Sequence, residues 1–182
     1  MLLGEVVAPL PVKKGHVRKE HCTYERHGSC ALLAAIEPLT GKRLGHVRAQ
    51  RTKKEYTLFC QALAARYPKA KKIRLVQDNF NTHNISSFYE YLPPEQAFAL
   101  AQRFEFYYTP KAASWLNMIE IEFSALARQC LKRRIPTISK LETQILSALK
   151  QREKRNIKIN WQFSIQTART KMGTHYKKLY AI

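Results

Sequence analysis

Short apolar runs and longer periodic stretches alternate along this chain, and each predicts a different kind of element. Ile73, Leu75 and Val76 form a β-rich run too short for a helix, which predicts a strand ending at Asp78. Asn79, Asn81 and His83 follow, and such small polar residues suit a loop leaving the strand. Earlier in the chain, residues 21–26 and 29–37 read as strands. The second of these, CALLAAIEP, is apolar almost throughout and is expected to be buried. Pro38, Leu39, Thr40 and Gly41 predict a turn, and residues 42–49 return with polar alternation, so an antiparallel hairpin is expected. Thr52 is placed to cap a helix running to about Tyr67, with Tyr56, Phe59, Leu63 and Ala64 on its inner face. After the polar loop, Ser86 or Ser87 opens a helix through Tyr91, and a second short helix spans 95–102 beyond Pro93 and Pro94. FEFYYTP then predicts a strand stopped by Pro110.

From Trp115 the period changes. Leu116, Ile119, Phe123, Leu126 and Cys130 recur at helical spacing, and Ser114 stands where an N-cap is expected. Asn117, Glu120 and Ser124 share a different face of that helix. Glu122 lies two residues from Glu120 and so points about 200° away around the axis. Both cannot face one ligand, and Glu122 is expected to pair with a nearby Lys or Arg. Trp115, at the start of the apolar face, is expected in the core, with stacking on a nucleic-acid base as the alternative. Further on, Ser139 is a predicted cap for a helix carrying Leu141, Ile145 and Leu149 that ends near Arg155. An extended segment over 156–163 and a last helix over 165–179 complete the pattern.

Charge narrows the partner. The 182 residues carry 32 Lys and Arg against 13 Asp and Glu, a formal net charge of +19, which implies a polyanionic partner, most simply nucleic acid. Residues 1–20 hold Pro9, Pro11, Gly15 and the basic pairs Lys13-Lys14 and Arg18-Lys19, and read as an extended basic arm. No run approaches the roughly 18 apolar residues of a membrane span, and no secretory leader is visible at the start. The four cysteines, Cys22, Cys30, Cys60 and Cys130, show no disulfide framework and suit a reducing cytosol. His21, Cys22, His27 and Cys30 cluster without a standard zinc spacing. Asp78 is the only aspartate in the chain.

QDNFNTH followed by YYTPKAASWLNMIEIEF resembles the catalytic core of the DDE transposases of mariner-like bacterial insertion sequences. The PLPVKKG, EPLTGKR and INWQF stretches are similar to this group as well. The resemblance implies an α/β fold of RNase H-like type, a mixed sheet flanked by helices. It implies three units: a basic arm at 1–20, a core at 21–135 and a basic helical extension at 136–182. By motif, Asp78 is the second and Glu120 the third acidic ligand of a Mg²⁺ site, with Mn²⁺ as substitute. The first aspartate of the family has no counterpart, because no aspartate precedes Asp78, and the expectation is a core lacking its opening strand. Neither Glu5 nor Glu37 sits in the family's motif as a replacement. Asn79, His83 and Asn117 flank the expected site and either orient its carboxylates or form turns and caps. Lys111, Lys132, Arg133 and Arg134 are candidate phosphate contacts, the last three equally explained as favourable charge at a helix C-terminus.

The resemblance further implies DNA as partner, both transposon ends and target, with a homodimer or an upstream transposase segment as protein partner. The expected location is the bacterial cytoplasm, at the nucleoid. Phosphoryl transfer needs hard oxygen ligands for the metal, which carboxylates supply. Holding two of the three acids, the chain by itself is expected to be an incomplete or inactive fragment that binds DNA non-specifically and cleaves it poorly or not at all. The rival expectation is a non-catalytic DNA-binding or inhibitory protein, which the charge supports equally.

Overall fold

In the computed structural model, which describes residues 1–110, 114–167, 169, 170 and 173, the chain is a mixed α/β arrangement of small sheets and helices. Among the described residues six strands form three separate two-stranded ladders, where the resemblance implies one mixed sheet. β1 (Leu2–Glu5) pairs antiparallel with β2 (Tyr24–Gly28), and β3 (Ala31–Ile36) pairs antiparallel with β4 (Arg43–Arg48). β5 (Ile73–Gln77) and β6 (Phe104–Tyr108) run parallel, joined by a crossover that carries α2 (Ser86–Tyr91) and α3 (Pro94–Gln102). Parallel strands need such a long connection, and here two short helices supply it.

The first twenty residues differ from the extended arm that proline and charge suggest. β1 lies in a ladder, and bridges Leu10–Lys19 and Lys13–His16 carry the pairing toward a turn at Gly15, whose φ of +80° suits glycine. The result is a projecting hairpin rather than a free strand of chain. Arg134 fastens its base: Nη1 donates to Glu5 Oε2 at 2.5 Å and to the Thr23 carbonyl at 2.9 Å.

Two apolar cores hold the elements. In the first, Tyr56, Cys60 and Leu63 of α1 (Lys53–Arg66) meet Phe88, Ala97, Leu100 and Phe104. Thr52 caps α1 as expected, its hydroxyl accepting from the Glu55 amide. In the second, Val47 of β4 packs with Leu126 and Cys130 of α4 (Ile119–Cys130) and with Ile145, Ala148 and Leu149 of α5 (Ile138–Lys154). Gly45 faces this core, where an added Cβ would stand 2.5 Å from Leu149 Cδ1 and make that side chain shift. Although composition sets residues after 135 apart as an extension, α5 contributes half of this core.

Helix starts differ in detail. Ser114 opens a single 3₁₀ turn with Trp115 and Leu116 rather than capping the long helix, which begins at Ile119. Met118 holds the N-cap position without a side-chain cap, and Asn117, one residue earlier, accepts from the Ile119 amide through its side-chain oxygen at 3.3 Å. Thr137, not Ser139, caps α5 by accepting from the Lys140 amide. Trp115 is 46% exposed and meets Phe163 edge-on with centroids 5.0 Å apart, so it is not a core residue. Most of the helix expected over 165–179 lies outside the described residues, as does Lys111. Of the apolar β3 strand only Leu33 is buried; its neighbours are half-covered.

Candidate active site

Asp78 stands one residue past the C-terminal end of β5, where the strand's backbone pairing stops and its side chain is free to leave the sheet. Gln77, the last strand residue, is buried and braces the turn beyond it. Its amide oxygen accepts from the Tyr56 hydroxyl at 2.8 Å, and its amide nitrogen donates to the His83 carbonyl at 2.8 Å. His83 is thereby folded back over the strand end. Its Nδ1 lies 2.5 Å from Asp78 Oδ1, and its ring stacks on Tyr56 at 4.8 Å. The far nitrogen, Nε2, is buried with no hydrogen-bond partner among the described residues. Burial raises the Tyr56 phenol far above its usual pKa, so this hydroxyl remains a donor. Asp78 itself is 42% exposed.

Glu120 comes from the first turn of α4, and both it and Asp78 line one cleft of about 570 Å³ together with His83 and Asn117. Two motifs 42 positions apart in sequence thus share a concave surface. Asn117 stands just before α4, where its side-chain oxygen accepts from the Ile119 amide and its carbonyl accepts from the Glu120 amide. Asn79 is exposed and is not among the residues that line the cleft. Lys132 and Arg133 are exposed beyond the end of α4 and are also apart from it. Arg134 is half-buried, with its guanidinium held by the N-terminal hairpin and set over the Tyr24 ring, so it serves the fold rather than a free phosphate contact. Glu5 pairs with Arg134, and Glu37 accepts from the Tyr67 hydroxyl at 3.1 Å; neither lines the cleft.

Sequence reasoning passed over Arg51. It lines the cleft with its guanidinium 3.5 Å from the centre of the Phe80 ring, a cation held against the loop that follows Asp78. Its place directly before the Thr52 cap was the available signal, because helix N-termini and nearby cations both favour anions. Trp161 and Phe163, from the segment after α5, also line the cleft.

The donor chemistry suits a divalent cation of the hard kind. Mg²⁺ is commonly held by one or two carboxylates, with water and substrate phosphate completing the shell. Asp78 and Glu120 supply two carboxylates on one surface, and a carboxylate already bonded to His83 is oriented as metal ligands usually are. Among the described residues no group of three or more His, Cys, Asp or Glu side chains is gathered tightly enough to hold a metal ion by itself.

The other glutamate of the motif has a different fate. Glu122 is fully buried and is gripped by two forks: Arg43 donates through Nε at 2.8 Å and Nη2 at 3.1 Å, and Arg152 through Nε at 2.7 Å and Nη2 at 3.1 Å. Burial opposes its charge, but the two guanidiniums hold its carboxyl below the usual range. The expected pairing with a basic residue is present twice over.

Among the described residues, no helix is long and apolar enough to cross a membrane. No curated protein and no solved structure matches the chain in these comparisons. The family model described as DDE superfamily endonuclease matches residues 2–142, a span that includes both cleft carboxylates and the loop and helix that carry them. The chain belongs to the DDE superfamily endonuclease family.

Proposed function

We propose that this cleft is the metal-dependent active site of a transposase-type DNA endonuclease, RNase H-like in fold and of the mariner-like insertion-sequence group. The observation that carries the reading is that Asp78 and Glu120, from the two separate motifs, line one cleft. A Mg²⁺ ion bound there, with Mn²⁺ as substitute, supplies charge neutralisation at the phosphoryl group. The chain's own residues do the rest. Asp78 and Glu120 would hold the ion; His83 orients the Asp78 carboxylate; Asn117 braces the turn that leads into α4; Arg51 would draw the phosphodiester toward the cleft. The +19 charge favours DNA as the polyanion, acting through contacts that carry no sequence information, and Lys111, Lys132 and Arg133 belong to that set. Transposon ends and target DNA are the proposed substrates, with a second copy or an upstream transposase segment as protein partner, in the bacterial cytoplasm.

One observation favours a second reading. The cleft brings two carboxylates together rather than three, which suits a DNA-binding remnant without chemistry. Nicking of supercoiled plasmid in Mg²⁺ or Mn²⁺, with Asp78→Ala beside the native protein, separates the two. Cleavage lost in the variant supports the endonuclease. Tight binding without cleavage, unchanged by the variant, supports the remnant.

A further inference from the structure

Two strands line the cleft, through residues 32–36 of β3 and residues 74–78, from β5 and the position after it. Each strand is hydrogen-bonded on one side only, β3 to β4 and β5 to β6, and no backbone hydrogen bond joins β3 to β5 among the described residues. Each edge therefore turns unpaired backbone donors and acceptors toward the same space. Five residues at about 3.3 Å each make a slot about 17 Å long, the length of one ordinary strand.

The side chains also point to a missing neighbour. β3 is the run ALLAAI, yet only Leu33 is buried, and Val76, near the end of β5, is 53% exposed. Phe59 of α1, Phe123 of α4, Trp161 and Phe163 line the slot as well, so an occupant would be enclosed by helices and aromatic rings as well as by the two edges. Strands buried in this manner are continuously apolar rather than alternating. Charge agrees. The charged lining residues that are described are Arg51, Arg74, Asp78 and Glu120, which balance, whereas the whole chain carries +19. With those charges balanced and the lining between the two strands largely apolar, the space matches an uncharged segment of chain.

We propose that the β3–β5 slot is a strand acceptor that takes an extended, apolar, uncharged segment of another polypeptide, paired to both edges. The occupant would join two ladders into one sheet in the order β4–β3–occupant–β5–β6. Two-stranded ladders are marginal by themselves and gain from a third strand, so occupancy stabilises the fold. Asp78 lies just past the end of β5, so the strand orders the wall that leads to the carboxylates. The proposal stands on the backbone edges and does not depend on the nuclease reading.

The test uses the full chain and a fluorescent synthetic peptide with a central run of Val and Ile between lysine flanks. The control peptide has proline at every second position of the run, which removes backbone donors while keeping the segment apolar. Anisotropy should show saturable binding of the first peptide and binding about tenfold weaker or worse for the second. Hydrogen exchange should show new protection at alternate amides within 32–36 and 73–77. Equal binding of both peptides overturns the proposal, as does protection confined to other elements. Slow exchange of those amides in the free protein at every concentration would mean the chain fills the slot itself. Slow exchange that grows with protein concentration would mean a second copy fills it; both results also overturn the proposal. Neither metal nor DNA enters the readout, so a negative result here leaves the plasmid-nicking test of the nuclease reading untouched.

Discussion

Glu120 and Glu122 are two residues apart on one helix and live in opposite environments. Glu122 is fully buried between Arg43 and Arg152, which reach it from β4 and α5. Glu120 is exposed, lines the cleft and has no ion-pair partner among the described residues. The same carboxylate serves as a structural rivet in one place and as a candidate ligand in the other. The rotation of α4 decides which, through the roughly 100° turned per residue. A carboxylate with four donors already aimed at it has no lone pairs left for a metal, whereas an unpaired carboxylate in a cleft does.

The largest effect is expected from Glu122→Ala. It leaves two guanidiniums facing each other in a dry interior, and breaking a buried pair in this way costs about 3–5 kcal/mol. Urea unfolding measures it; a loss under about 1 kcal/mol would mean that Arg43 and Arg152 find other partners. Glu120→Ala should do the reverse. Its urea midpoint should match the native protein, while Mg²⁺-dependent plasmid nicking falls by about a hundredfold or more, since removing even an outer partner of a metal ligand costs about 10–100-fold. If both variants lose nicking without losing stability, the contrast between the two glutamates is wrong.

pH sharpens the same contrast. The folded pKa of Glu122 is depressed, so its contribution is complete above the unfolded glutamate value of about 4.3 and is lost as pH falls below it. Native protein should lose stability steeply below about pH 4, and Glu122→Gln should flatten that slope. His83→Ala should lower nicking by about tenfold with little change in KM for DNA, because it removes the group that orients Asp78 rather than a ligand. The smallest effect belongs to Arg51→Ala. DNA affinity should weaken similarly for all sequences, and the slope of log affinity against log salt should flatten by about 1.

The regions also differ in how far the sequence revealed them. Asp78 was legible because a short β run must end where polar residues begin, and Glu120 because its motif places it off the apolar stripe. Their meeting in one cleft is consistent with both. Arg51 was not legible, because a single arginine before a cap carries no period and its position over Phe80 depends on the path of a loop. The N-terminal hairpin was hidden for a related reason: prolines and lysines advertise an arm, while the pairing of Leu10 with Lys19 is a contact between backbones.

Local sequence by itself determined most elements, because caps, breakers and apolar period act over a few residues: Thr52 starts α1, Pro110 ends the run after β6, and α4 and α5 follow their stripes. It also determined the net charge, which favours a polyanionic partner. Only the tertiary structure decided that the strands of the described residues pair as three ladders instead of one sheet. It alone decided that Arg43, 79 positions away, closes on Glu122. The reason is physical. A strand's partner and a buried charge's counter-ion are chosen by which distant surfaces fit and exclude water together, and no window of neighbouring residues contains that information.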